Sequence, residues 1–328
     1  IVANKRTSPM TYHSSQLNLA SAFALVAAAA AIAALPQPAH AQVPAPAEAT
    51  APAVVKHGDV DVKGARIHYQ VHGDLAAGKT PLLLLHGAFM SGDAMKSLVE
   101  PLAATRPVIA LDARGHGRSG GVDGKLSYDL MADDAAAVLA KLGVKQADVL
   151  GYSMGGSTAV ALAIRHPDRV GKQVILSATS RLDGWYPEVL AGIAKITPEL
   201  FANSPIDTEY KRLSPTPEKF PKLVDNIKTL DATPFAWPDE KVRAIPGKTM
   251  VIIGDADGVT LDHAIQLFKL RGGGGIAGAT QGSMPDAPKA RLAILPATSH
   301  IGIMSEVPAI AAMVTPFLDD ARPPMPTF

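Results

Sequence analysis

Cysteine is absent from the 328 residues. Disulfides, thiol catalysis and anchoring through a lipidated cysteine are thereby excluded, although the absence chooses no compartment. Neither sign of charge is in excess. The formal net charge is +1, and Lys5 and Arg6 alone more than account for it. No basic stripe points to nucleic acid, and no acidic block points to a metal or a cationic partner. Internal repeats are missing as well. What remains is a chain long enough to bury a full core as one large α/β domain.

The first fifty residues stand apart. Lys5-Arg6 is followed by an alanine-rich apolar run from Leu17 to Leu35, then by Ala39-His40-Ala41. A basic start, an apolar middle and a small-x-small end describe a secretory signal over 1–41, cleaved after Ala41. The run approaches the ~20 residues that span a bilayer, so an uncleaved anchor is the rival. The alanine content and the cleavage site favour export, so no stable membrane anchor is expected after cleavage and the mature protein is expected to be secreted or periplasmic. Residues 42–53 alternate alanine and proline too often to pack a core and read as a linker.

From residue 54 the pattern becomes that of a folded domain. Gly58 to Val71 reads as a hairpin turning at Lys63-Gly64. The wholly apolar runs at Leu82–Leu85 and Val108–Leu111 belong in strands covered on both faces, and the mainly apolar runs at Asp148–Leu150, Lys172–Leu176, Lys248–Ile253 and Arg291–Leu295 read as further strands. Helical stretches separate most of them: 94–105, 128–142, 156–164, 261–270 and 306–318. Asp129, Asp133 and Asp134 are expected to face solvent at the start of the second. Alternation at this spacing implies right-handed β-α-β units and an open, mostly parallel sheet. The rhythm breaks over 181–246, which carries both tryptophans, Trp185 and Trp237, with Tyr186 and many prolines. That segment, with helical pieces near Pro187–Lys195 and Pro217–Leu230, reads as a helical cap inserted into a core of 54–180 and 247–328. Its rings, Trp185, Tyr186 and Trp237, are candidates for a pocket wall, or serve only to pin the cap down. Gly272–Gly275 opens a loop of about fifteen residues, functional or a surface excursion.

The chemistry centres on Gly151-Tyr152-Ser153-Met154-Gly155, between an apolar strand and a helix. A serine on so sharp a turn is lifted clear of the sheet, and Gly151 and Gly155 leave room for the turn. The Met154 amide then lies at a helix N-terminus, where a developing negative charge is favoured. A serine hydroxyl needs a general base, and the base needs a third group to orient it. The order nucleophile, acid, histidine is available as Ser153, Asp257 or Asp255, and His300, each after a strand of one sheet, where strand ends line a single crevice. A second oxyanion donor comes from the turn after His86-Gly87, at Ala88, with His86 holding that turn by hydrogen bonding. Asp112-Ala113-Arg114-Gly115-His116-Gly117-Arg118-Ser119 invites a phosphate-binding reading, but it lacks the lysine and spacing of a P-loop and reads as a structural loop.

Taken together, Leu85-His86-Gly87, the Asp112–Ser119 run, the Ser153 elbow, Gly254-Asp255-Ala256-Asp257 and Ser299-His300 resemble the α/β-hydrolase fold family from about residue 58 to 320. The resemblance implies Ser153 as nucleophile, His300 as base, Asp257 as acid, and Ala88 and Met154 as amide donors, with no cofactor and no metal. The family's spacing of a glycine, two residues and then the acid selects Asp257 over Asp255, and Asp183 is the distant third choice. Serine at the elbow argues against dehalogenases and epoxide hydrolases, which place aspartate there. Phe89, a further candidate for the pocket wall, stands where haloperoxidases and perhydrolases of the family have proline. The single Gly87 resembles enzymes acting on esters of primary and secondary alcohols. A carboxylesterase acting on a small-molecule ester is therefore expected, with a lactonase or carbon–carbon bond hydrolase as the alternative. A non-catalytic scaffold is the reading from outside enzymology.

Overall fold

The computed structural model describes residues 55–276, 280, 284, 286 and 288–322. The expected signal over 1–41, the linker over 42–53 and most of the loop after Gly275 lie outside the described residues.

Two strands open the domain, β1 (Val55–Val62) and β2 (Ala65–His72), joined by a turn in which Lys63 and Gly64 both take positive φ. Then follow β3 (Leu82–Leu85), α1 (Lys96–Ala103), β4 (Val108–Leu111), α2 (Tyr128–Lys141), β5 (Ala147–Tyr152), α3 (Met154–Arg165) and β6 (Val170–Leu176). The sheet resumes with β7 (Thr249–Ala256) and ends with β8 (Ala290–Ser299). All eight strands form one sheet in the order β1-β2-β4-β3-β5-β6-β7-β8. The pairs β1–β2 and β2–β4 are antiparallel, and every other pair is parallel.

This arrangement follows from the apolar runs. All four leucines of β3 and every residue of β4 and β5 are buried, which only helices on both faces can achieve. Two apolar layers result. One holds Ile109, Val149 and Ile175 beneath α2 and α3; the other holds Leu82, Leu84, Leu150 and Ile252 beneath α1 and the last helix, α9. The hydroxyl of Ser127 caps α2 by accepting from the Leu130 amide at 3.2 Å.

Asp134 departs from the expectation that it faces solvent. It is buried, and both its oxygens accept from Arg114, at 2.9 and 2.6 Å. A charge can be taken out of water when a guanidinium meets it in two parallel hydrogen bonds. The glycine-rich run thus sends Arg114 into the core to meet α2.

Between β6 and β7 the chain leaves the sheet and forms α4 (Pro187–Ile193), α5 (Pro205–Leu213), α6 (Phe220–Ala232) and α7 (Asp239–Ala244). Aromatic side chains seat this insertion: Phe201 lies 4.9 Å from Phe89 and 5.6 Å from Phe220 between ring centres. Ion pairs add two ties, Arg212 to Asp93 and Lys219 to Asp123. After β7 come α8 (Leu261–Leu270), β8 and α9 (Val307–Leu318).

Candidate active site

Strands β5, β6, β7 and β8 run parallel, so their C-terminal ends open on one edge of the sheet. The groups singled out from the sequence gather there.

Ser153 follows β5 and takes φ 53° and ψ −119°, a conformation rare for a residue with a side chain. The elbow tolerates it because its neighbours lack side chains. A Cβ on Gly151 would strike the Gly155 carbonyl, and one on Gly155 would strike the Leu85 carbonyl. Strain of this kind persists only where surrounding structure imposes it, here to aim one hydroxyl. Ser153 keeps some accessible surface, whereas its neighbours on both sides are buried.

His300 lies just past β8. Its Nδ1–H donates to Asp257 Oδ1 at 2.8 Å, which leaves Nε2 to accept the Ser153 hydroxyl at 3.0 Å. Asp257 is held in turn. Its Oδ1 also accepts from the Val259 amide at 2.9 Å, and its Oδ2 accepts from the Ser177 hydroxyl at 2.6 Å. Burial alone would push this carboxyl up, but bonds to His300 and Ser177 and the charge of the imidazole outweigh it, so the pKa lies below the ordinary value. Asp257 is therefore ionised at neutral pH. Asp255 points elsewhere and accepts from the Thr298 amide at 3.1 Å. Asp183 is paired with Arg181 and 69% exposed.

The imidazole is fixed from its faces as well. Tyr152 lies parallel to it at 5.4 Å and donates its hydroxyl to the His300 carbonyl at 2.9 Å. Trp185 meets it edge-on at 5.0 Å. Ser177 and Tyr152 were invisible in the sequence, since a serine at a strand end and a tyrosine beside a nucleophile have no distinguishing spacing.

The oxyanion side is built on two turns. Met154 opens α3, so its N–H has no partner within that helix. The Ala88 amide donates to no group among the described residues, and Phe89 beside it is forced to φ 62°. His86 holds this turn: Nδ1–H donates to the Gly87 carbonyl at 2.7 Å, and Nε2 accepts from the Ala113 amide at 2.9 Å. Burial lowers its pKa despite the nearby Asp112, so the ring is neutral and its role is that of a brace. The Asp112–Ser119 run is spent on similar work. Asp112 accepts from the Gly92 and Arg118 amides, at 2.7 and 2.8 Å.

The pocket candidates divide. Trp185 abuts the imidazole, and Phe89 reaches the insertion through Phe201. Trp237 packs with Phe235 on Tyr128, at ring distances of 5.2 and 5.9 Å. Tyr186 is 44% exposed and is not drawn into these ring contacts. No cluster of three or more metal-binding side chains occurs among the described residues.

A mostly parallel sheet, a strained serine at a strand-to-helix elbow and a histidine–carboxylate relay at the strand ends define the α/β class of hydrolases. A family model for the alpha/beta hydrolase fold matches residues 80–234. A 2-hydroxymuconate semialdehyde hydrolase of Pseudomonas sp. (strain CF600) is 31% identical over 218 residues, covering 60% of this chain and 76% of that protein. A Caulobacter segnis protein named as a carbamate hydrolase is 40% identical over 119 residues, but these cover 36% of this chain and only 45% of that protein. Among solved structures, the enol-lactonase of Burkholderia xenovorans LB400 superimposes with a TM-score of 0.60 at 22% identity, covering 80% of this chain and 100% of that one. The chain belongs to the α/β-hydrolase fold family; the stretch it shares with the carbamate hydrolase relative spans just under half of that protein's length.

Proposed function

We propose that the protein is a serine hydrolase that cleaves carboxylic esters through an acyl-enzyme. The observation that carries this reading is the continuous hydrogen-bonded line from Ser153 through His300 to Asp257. As Ser153 Oγ bonds to the ester carbonyl carbon, its proton passes to His300 Nε2. The resulting imidazolium is stabilised by Asp257, and the oxyanion is bound by the Ala88 and Met154 amides. Collapse breaks the bond to the alkoxy oxygen, which leaves as alcohol with the proton from Nε2. Water then attacks the acyl carbon, giving its proton to the same nitrogen, and Ser153 is released with a free acid. A water-accessible serine, a neutral brace at His86 and an ionised Asp257 all support these steps.

The second reading, a lactonase or carbon–carbon bond hydrolase, draws on the names of the relatives from Pseudomonas and Burkholderia. It would use the same nucleophilic line on a different bond. Export to the periplasm or medium is proposed from the leader over 1–41. A panel of p-nitrophenyl esters, lactones and vinylogous 1,5-diketo acids discriminates the readings. The ester reading expects the highest kcat/KM on an ester and its loss in Ser153→Ala. Turnover of the diketo acids or lactones at least a hundredfold faster than any ester would replace it.

A further inference from the structure

One carboxylate within electrostatic reach of His300 has no part in those steps and no hydrogen-bond or ion-pair partner among the described residues. Asp231 lies in the last turn of α6, four residues after Ile227 and seven after Val224, so it belongs to the helix face that Leu223, Val224, Ile227 and Leu230 bury. The chain beyond it is fastened to the core directly after β6. The Leu182 amide donates to the Phe235 carbonyl at 2.8 Å, and the Trp237 amide to the Ser180 carbonyl at 3.2 Å. Phe235 also packs on Tyr128 at 4.7 Å. This end of α6 is thus held against the segment that leaves β6, the strand next to β5 in the sheet.

The other buried aspartates are all engaged. Asp112, Asp134, Asp148, Asp207 and Asp257 each accept from a backbone amide, an arginine, a lysine or a side-chain hydroxyl. Asp231 accepts no hydrogen bond and joins no ion pair among the described residues. The titratable groups that feel it are His300 after β8 and Tyr128 on α2. It also keeps some accessible surface, as a side chain lining a recess does. An acid largely withdrawn from water and left without a partner is costly, and one whose charge is felt by His300 is explained if the substrate is its partner.

We propose that Asp231 sets the charge selectivity of the site, admitting substrates that present a neutral or cationic group to it and turning away those that present a carboxylate. Burial raises its pKa to about 7, opposed by the attraction of His300. Its place at the C-terminal end of a helix disfavours the ionised form further. The repulsion is therefore full above that pH and fades as the carboxyl takes up its proton below it.

The test rests on the ester reading only for its assay. Two p-nitrophenyl esters of equal acyl length are compared, one ending in methyl and one in a carboxylate that stays ionised above pH 6. In the wild type at pH 8.5 the ratio of kcat/KM, neutral over anionic, is expected to exceed that of Asp231→Asn by about tenfold or more, the effect of one poorly screened charge. The wild-type ratio is also expected to fall between pH 8.5 and 6. Any change in the catalytic machinery common to both esters divides out of the ratio. A ratio equal within twofold in wild type and variant, and flat with pH, overturns the proposal. If Asp231→Asn does not fold, the wild-type pH arm decides. If neither ester is turned over, the ester reading fails separately, and the same ratio is read from rates of Ser153 modification by neutral and carboxylate-bearing fluorophosphonates.

Discussion

Asp257 and Asp255 are two residues apart where β7 ends, yet only one reaches the imidazole. In the sequence their order after Gly254 left both available, and Asp257 was favoured by its place beyond the strand end and by the family spacing. The structure brings Asp257 to His300 at 2.8 Å and gives Asp255 to the Thr298 amide. The physical reason is that β7 continues to Ala256, so Asp255 is still committed to the strand edge while Asp257 is free to turn inward. Replacement of Asp257 by Asn removes the charge that stabilises the imidazolium and lets the ring adopt the wrong tautomer. A drop in kcat of up to ~10⁴-fold is expected, with KM little changed. Asp255→Asn should cost less than about tenfold. Steady-state kinetics on both variants checks this, and a near-normal kcat in Asp257→Asn beside a collapse in Asp255→Asn would reverse the roles. What the sequence could not disclose at this scale is support by residues without spacing. Ser177 is the example: forced to φ 49°, it points its hydroxyl at Asp257 from the end of a neighbouring strand.

At the scale of elements, legibility tracked hydropathy. The inner strands β3, β4 and β5 were readable because each is buried on both faces and therefore nearly free of polar residues, and β1 and β2 from their alternation about the Lys63-Gly64 turn. The helices at 128–141, 261–270 and 307–318 were readable from their amphipathic period and end signals. Between β6 and β7 the pattern weakened. α5 and α7 went unread, and each buries little: Asp207 and Tyr210 in the first, Val242 in the second. Helices held mainly by ion pairs and a few rings present no continuous apolar stripe. Asp134 failed for the opposite reason. It sits on the buried face of α2, and only its distant partner Arg114 makes that tolerable, a pairing that spacing along the chain does not reveal. Asp231 shares the signature of an acid on an apolar stripe but lacks the partner, which is what separates a structural charge from one turned toward a ligand.

For the whole molecule, buried neutral histidines set the response to acid. Burial lowers the pKa of His86, brings His116 down to about 3 and brings His263 down to about 4. Each is buried, braced by backbone groups, and each would protonate near its ordinary value of about 6.5 once unfolded. Since the folded values are depressed, the unfolded chain binds more protons below pH 6.5, and stability falls with pH from there toward the folded values. Each such ring opposes folding by about 1.4 kcal/mol per pH unit in that window, and Asp231, which takes up its proton first in the folded state, offsets about one of them. Thermal unfolding at pH 7.5 and pH 5.0 should therefore differ by about 5 °C or more, with the acid sample the less stable. Melting temperatures within about 3 °C of each other would mean that these rings are not held neutral in the fold.

The central claim is that one hydroxyl, aimed by a strained elbow and activated through His300 and Asp257, performs the chemistry. Incubation of the folded protein with a fluorophosphonate, followed by intact-mass measurement and peptide mapping, tests it most directly. One adduct per chain is predicted, on Ser153, with loss of all hydrolytic activity in proportion to labelling. Labelling at least ~10³-fold slower is predicted in His300→Gln, because the serine then lacks its base. Full hydrolytic activity in a protein quantitatively labelled at Ser153, or labelling elsewhere that abolishes activity while Ser153 stays free, would contradict the account.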